Sequence, residues 1–138
     1  MSTTALKRNI FQRLFGIPAT KLPMHEDCWT LSDGEIVIDL SMAPELSRPW
    51  GAIRLEKKDL PERVLVIRGG DDKFYAFRNR CKHMGRRVDP VPETRTVQCC
   101  SINKTTYDYE GRVLSGPANK SLELYEVQAD NGKLIIRI

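Results

Sequence analysis

The chain is poor in histidine, in long apolar runs and in clustered charge. Only His25 and His83 occur among 138 residues, so imidazole chemistry has two places to sit. No apolar run approaches the roughly eighteen residues of a membrane span. The net charge is +4 and the pI about 9.0, yet there is no run of five or more Lys and Arg and no aromatic-interleaved basic repeat. Nucleic acid is therefore not an expected partner. No nucleophile–base pair, glycine-rich phosphate loop or paired-carboxylate pattern stands out, which argues against a catalytic site of the chain's own. Internal repeats and low-complexity segments are absent. Four cysteines at this length make no disulfide framework. That usage favours a reducing, cytoplasmic setting, where thiolates stay available to bind metal. The length suits one domain with a single core.

The stretch from Cys81 to Asn103 concentrates the chemistry. It opens on Cys81-Lys82-His83-Met84-Gly85 and closes on Cys99-Cys100-Ser101-Ile102-Asn103, holding three of the four cysteines and one of the two histidines. Soft sulfur and imidazole nitrogen on two loops are what a transition-metal or iron–sulfur site needs. Gly85 lets the backbone turn after the first pair. Cys28, beside Trp29, reads as a small buried hydrophobe.

This arrangement resembles the Rieske iron–sulfur family, whose pattern is Cys-x-His followed, some sixteen residues on, by Cys-x-x-His. The resemblance extends through Arg78 to Gly85, through Tyr107-Asp108 to Ser115-Gly116-Pro117-Ala118, and into the closing stretch Leu124–Ile138 with its turn at Asp130-Asn131-Gly132. It implies a leading segment over 1–27 and a Rieske-like domain over 28–138. It also implies a [2Fe–2S] cluster with one iron on two cysteines and the other on two histidines. The second histidine is missing. Counting back from Tyr107, the ligand cysteine is Cys100 and Asn103 stands in the histidine position; counting forward from Thr96, the ligand is Cys99 and Ile102 takes that place.

Three arrangements stay open. Cys81, His83, Cys99 and Cys100 together form an altered set, with a potential between the roughly −400 mV of four-cysteine clusters and the Rieske range of roughly −150 to +300 mV. Alternatively Asn103, water or His25 completes the set, although an amide oxygen is a hard, weak donor to iron. In the third, the cluster is absent and Cys81 pairs with Cys99 or Cys100. A mononuclear zinc site on the same residues is a further alternative.

Along the chain, residues 3–15 read as a basic amphipathic helix, with Leu6, Ile10, Phe11, Leu14 and Phe15 on one face. Basic and free of acidic residues, it resembles an organelle transit peptide or a membrane-surface helix, and it is also suited to docking on the domain or on a second copy, giving a homo-oligomer. Residues 17–30 read as a connection. Strands are expected at 35–40, 52–55, 64–67 (buried on both faces), 73–78, 95–99, 105–108, 112–114, 122–128 and 133–138. The fold class is all-β: an antiparallel sandwich or barrel with the two loops at one tip, plus the short N-terminal helix. Lys82, Arg86 and Arg87 flank the first loop and suit an acidic partner. Thr105 and Thr106 are candidate donors to cluster sulfur. The resemblance implies a small carrier passing single electrons to a reductase or oxygenase-type partner, with no membrane span. The family's oxygenases need a second iron domain, for which there is no room.

Overall fold

The computed structural model describes residues 19–56, 59–82, 85–100 and 104–138. The expected helix at 3–15 lies outside them.

Eleven strands form two antiparallel sheets among the described residues. The strands are β1 (Trp29–Ser32), β2 (Glu35–Asp39), β3 (Ala52–Leu55), β4 (Val64–Arg68), β5 (Phe74–Arg78), β6 (Val88–Val91), β7 (Thr96–Cys99), β8 (Thr106–Asp108), β9 (Val113–Ser115), β10 (Leu124–Asp130) and β11 (Lys133–Arg137). The larger sheet runs β1-β2-β11-β10-β5-β4-β3 and the smaller β6-β7-β8-β9. β10 meets β5 only through Leu124 opposite Phe77 and Tyr125 opposite Ala76. The larger sheet is thus two hairpin-built halves joined at a narrow seam.

Side-chain alternation on β4 organises the interior. Val64 and Val66 point into one core, with Ile36 and Ile38 of β2, Ile53 and Leu55 of β3, and Leu134 and Ile136 of β11. Leu65 and Ile67 point the other way, into a second core with Phe77, Val88, Val97, Tyr107 and Tyr109. Successive strand residues face opposite sides, so a strand buried on both faces must be apolar at every position. Val64-Leu65-Val66-Ile67 meets that demand, as its sequence suggested.

Two strands escape the sequence reading. β1 lies partly inside the expected connection 17–30, after a short 3-10 turn at Glu26–Cys28. β6 contains Pro90, and it occupies one edge of the smaller sheet, where a missing N–H is tolerated.

Ahead of β1, the segment at 19–21 straps the edges of both sheets together. The amides of Ala19 and Thr20 each donate to the buried Asp89 carboxylate on β6, both at 2.8 Å. On the other side, the Arg54 side chain on β3 donates through Nε to the Thr20 carbonyl (2.8 Å), and the Arg54 amide donates to the Lys21 carbonyl (3.0 Å).

Candidate metal centre

The second core ends in two loops. One joins β5 to β6 and carries Cys81. The other follows β7 and carries Cys100, with Cys99 as the last residue of the strand.

Backbone hydrogen bonds shape the first loop. The Cys81 amide donates to the Arg86 carbonyl (2.7 Å), and the Gly85 amide donates back to the Cys81 carbonyl (2.8 Å). Gly85 sits at φ +70°, a conformation open to glycine and strained for most other residues. Buried Asn79 fixes the entrance: its amide donates to the Arg63 carbonyl, and its Oδ1 accepts from the Val88 amide at 2.7 Å. Arg63 spans the loop, donating from Nε to the Asn79 carbonyl (3.1 Å) and from Nη2 to the Gly85 carbonyl (2.8 Å).

The second loop is tied to the first. The Cys100 amide donates to the Arg87 carbonyl (3.0 Å), and the Cys99 amide donates to the Thr105 carbonyl (2.7 Å). The segment Ser115-Gly116-Pro117 lies against Thr105. A Cβ on Gly116, which has φ +99°, would meet the Thr105 Cα at 2.5 Å. Only glycine allows this approach without movement.

The three site cysteines are buried, and no disulfide joins them. The cross-linked arrangement is therefore not the one adopted. Cys81 and Cys99 both belong to the second core beside Tyr107. The Tyr107 hydroxyl accepts from the Lys82 amide (2.9 Å) and lies 3.4 Å from Cys81 Sγ. With its oxygen engaged by Lys82, its proton is available to sulfur. Burial, then the Cys81 contact, push the Tyr107 pKa far above the usual tyrosine value. Cys100 lies on the other side of the strand end. Burial chiefly, and then the Asp89 charge, raise its thiol pKa, opposed by Arg86. Cys28 packs in the first core, as its sequence context suggested.

His83 and Asn103, the other expected ligands, lie outside the described residues. Among the described residues no group of three or more His, Cys, Asp or Glu side chains is assembled for a metal ion. The donor chemistry still fits the thiolate half of a [2Fe–2S] cluster. Cys81 sits on one loop and the Cys99–Cys100 pair where β7 runs into the other, the two loops bonded to each other, with a hydroxyl within hydrogen-bonding distance of one sulfur.

Two expectations on the surroundings are corrected. Thr106 is not aimed at sulfur: its hydroxyl donates to the Lys104 carbonyl (2.9 Å) and accepts from Gln98 (3.1 Å). The cations of the first loop are also largely compensated within the chain. Lys82 pairs with Glu123 (2.7 Å), Arg87 with Glu56 (2.6 Å), and Arg78 with both Glu62 and Glu123. Residues that sequence reasoning missed are Arg63, Asn79, Glu56 and Tyr107. Asn79 and Tyr107 lie in the stretches that carry the family resemblance; Arg63 and Glu56 do not.

The fold is similar to solved Rieske structures. The plasma membrane Rieske protein PetC3 from Synechocystis PCC 6803 superimposes with a TM-score of 0.54 at 21% identity, over 64% of this chain and 87% of that one. A chain from the complex of reduced oxygenase and oxidized ferredoxin in carbazole 1,9a-dioxygenase gives 0.55 at 20% identity, over 65% of this chain and 82% of that one. At such identities the likeness is one of fold. In sequence, the chain is 26% identical over 104 residues to the cytochrome b6-f complex iron-sulfur subunit of Chlorobaculum tepidum, covering 75% of this chain and 56% of that protein. The chain thus spans little more than half the length of this relative.

These similarities overturn the expected cytoplasmic setting, because they include a plasma-membrane protein and a subunit of the cytochrome b6-f complex. The inference failed for a physical reason. Cysteines in a metal site report what the metal needs, and a thiolate bound to metal does not depend on a reducing compartment. No described helix is long and apolar enough to cross a membrane, which leaves β-barrels unaddressed.

The expectation of an all-β Rieske-type fold stands. Residues 47–126, spanning both cysteine loops and the Gly116 cover, match the family model described as Rieske [2Fe-2S] domain, and the chain belongs to that family.

Proposed function

We propose that the chain is an electron-transfer component, passing single electrons to a partner oxidoreductase from a [2Fe–2S] site at its two-loop tip. The observation that carries this is the joining of the Cys81 loop to the Cys99–Cys100 loop through the Arg87 carbonyl, inside the matched family region. Cys81 and one of Cys99 or Cys100 would hold one iron; His83 and a second donor, Asn103 or the other cysteine, would hold the other. When bound, such a cluster takes up and returns one electron. The chain's own residues do the rest. Arg63 and Asn79 hold the first loop in shape, Tyr107 offers a proton to Cys81 sulfur, and the Gly116 segment closes on the second loop.

Likeness to a chain from a complex of oxygenase and ferredoxin supports a redox partner of reductase or oxygenase type. The redox unit is read as 28–138 and residues 1–27 as its leading segment. Self-association through residues 3–15 is supported by sequence alone; sedimentation of the full chain against a chain lacking 1–18 tests it.

Anaerobic reconstitution with iron and sulfide, followed by absorption spectroscopy and metal analysis, tests the main reading. Iron with acid-labile sulfide supports it. A colourless protein overturns it, and zinc without sulfide points to the mononuclear alternative. Single Cys→Ser variants at Cys81, Cys99 and Cys100 then identify the ligands by loss of iron.

A second reading, a cluster-free interaction module on the same fold, is favoured by the packing of Cys81 and Cys99 within the hydrophobic core. It predicts that Cys81→Ser and His83→Ala leave partner binding unchanged, and that His83→Ala leaves stability unchanged as well.

A further inference from the structure

One carboxylate outside both loops sits where their supports converge. Glu56 follows β3, on the edge of the larger sheet. Its Oε2 accepts from Arg54 Nη1 and Arg87 Nε, each at 2.8 Å, and its Oε1 accepts from Arg87 Nη2 at 2.6 Å. The Arg87 contact is a two-pronged guanidinium–carboxylate pair, the geometry that fixes orientation as well as charge. The Glu56 side chain is only 17% exposed.

Each guanidinium around it leads to another part of the site. Arg87 receives the Cys100 amide on its backbone carbonyl. Arg63, which clamps the first loop at Asn79 and Gly85, feels repulsion from Arg87 and attraction from Glu56, on top of its own burial. Arg54 reaches back to the Thr20 carbonyl of the strap. Without Glu56, Arg54 and Arg87 lose the carboxylate that both bond, only the unbonded charges of Glu62 on Arg63 and Asp89 on Arg87 remain, and Arg87 has reason to swing to solvent.

We propose that Glu56 is a positioning residue for both cysteine loops, fixing Arg87 at the end of the first and, through the Arg87 carbonyl, the Cys100 amide of the second. The redox consequence rests on the electron-transfer reading; the loop consequence does not.

The test uses the full chain as purified, comparing Glu56→Gln with Glu35→Gln, which removes an ion pair with Arg137 on the far hairpin. Two rates are read: hydrogen exchange at the Cys100 amide and maleimide labelling of the Cys100 thiol. In E56Q both should rise about tenfold beyond any rise at the β11 amides, and in E35Q both should stay at wild-type values. Glu56→Asp should recover part of the loss. Arg87→Lys, which keeps the cation but not the fork, is the second variant should E56Q not fold, and it should give an intermediate acceleration. Wild-type rates at Cys100 in both E56Q and R87K, or an acceleration spread equally over β11, overturn the proposal. After anaerobic reconstitution, E56Q should also raise the midpoint potential, since a negative charge near the site is gone. If no cluster assembles in the wild type, the electron-transfer reading fails and the exchange rates still decide the role of Glu56.

Discussion

Tyr107 Oη stands 3.4 Å from Cys81 Sγ while accepting the Lys82 amide, so one hydroxyl serves both the sulfur and the backbone beside it. Tyr107→Phe removes both contacts and leaves a half-buried amide unpaired. The expected loss is about 1–3 kcal/mol of stability, read by denaturant titration. In reconstituted protein the midpoint potential should fall, because a hydrogen bond to cluster sulfur favours the reduced state. An unchanged potential would place the hydroxyl proton elsewhere.

Acid should loosen the site through Glu56. Burial opposes its ionisation, but hydrogen bonds from Arg87 and Arg54 overcome this and hold its pKa down to about 2. A carboxylate depressed in the folded state stabilises the protein above its unfolded pKa, near 4.5, and that contribution is lost as pH falls toward 2. Allowing for solvent screening, the term is on the order of 1–2 kcal/mol. Melting temperature against pH should therefore drop less steeply between pH 5 and pH 2 in E56Q than in wild type. Parallel curves would remove Glu56 from the acid response.

Gly116→Ala places a methyl group against the Thr105 backbone at positive φ. Roughly 1–3 kcal/mol of destabilisation is expected. Because the Thr105 carbonyl holds the Cys99 amide, exchange at that amide should accelerate too. A substitution tolerated without either effect would mean that the cover segment shifts freely.

Asn103→His restores an imidazole where the family pattern has one. Under the Cys100 register, reconstituted N103H should hold iron more firmly and show a higher potential than wild type, because a neutral nitrogen replaces a weaker or more negative donor. Cys100→Ser in that background should abolish the gain and Cys99→Ser should not. No gain in N103H, with a gain in Ile102→His instead, would favour the Cys99 register.

Much of this molecule was legible in its sequence, and what escaped shares a cause. The β4–β5 hairpin, β7 to β9 and the closing hairpin follow local alternation and turn residues, so their boundaries came within a residue or two. Pro90 hid β6, because a proline excludes a central strand but not an edge one. The cysteine loops were visible as a motif, whereas their braces were not. Asp89 bonds an amide seventy residues away, and Glu56 meets Arg87 across thirty-one. Such partners have no periodicity to betray them. In the local sequence Glu56 is one more charge beside Lys57, Lys58 and Asp59.

β4 has no outward face, and that bears on how the protein comes apart. A strand that serves two interiors cannot be peeled from one without exposing the other. The redox tip and the distant hairpin should consequently melt together, in one cooperative transition seen alike by fluorescence and by far-ultraviolet circular dichroism. The tip then inherits its rigidity from the whole chain, and no excised fragment carrying only the cysteine loops should keep their shape.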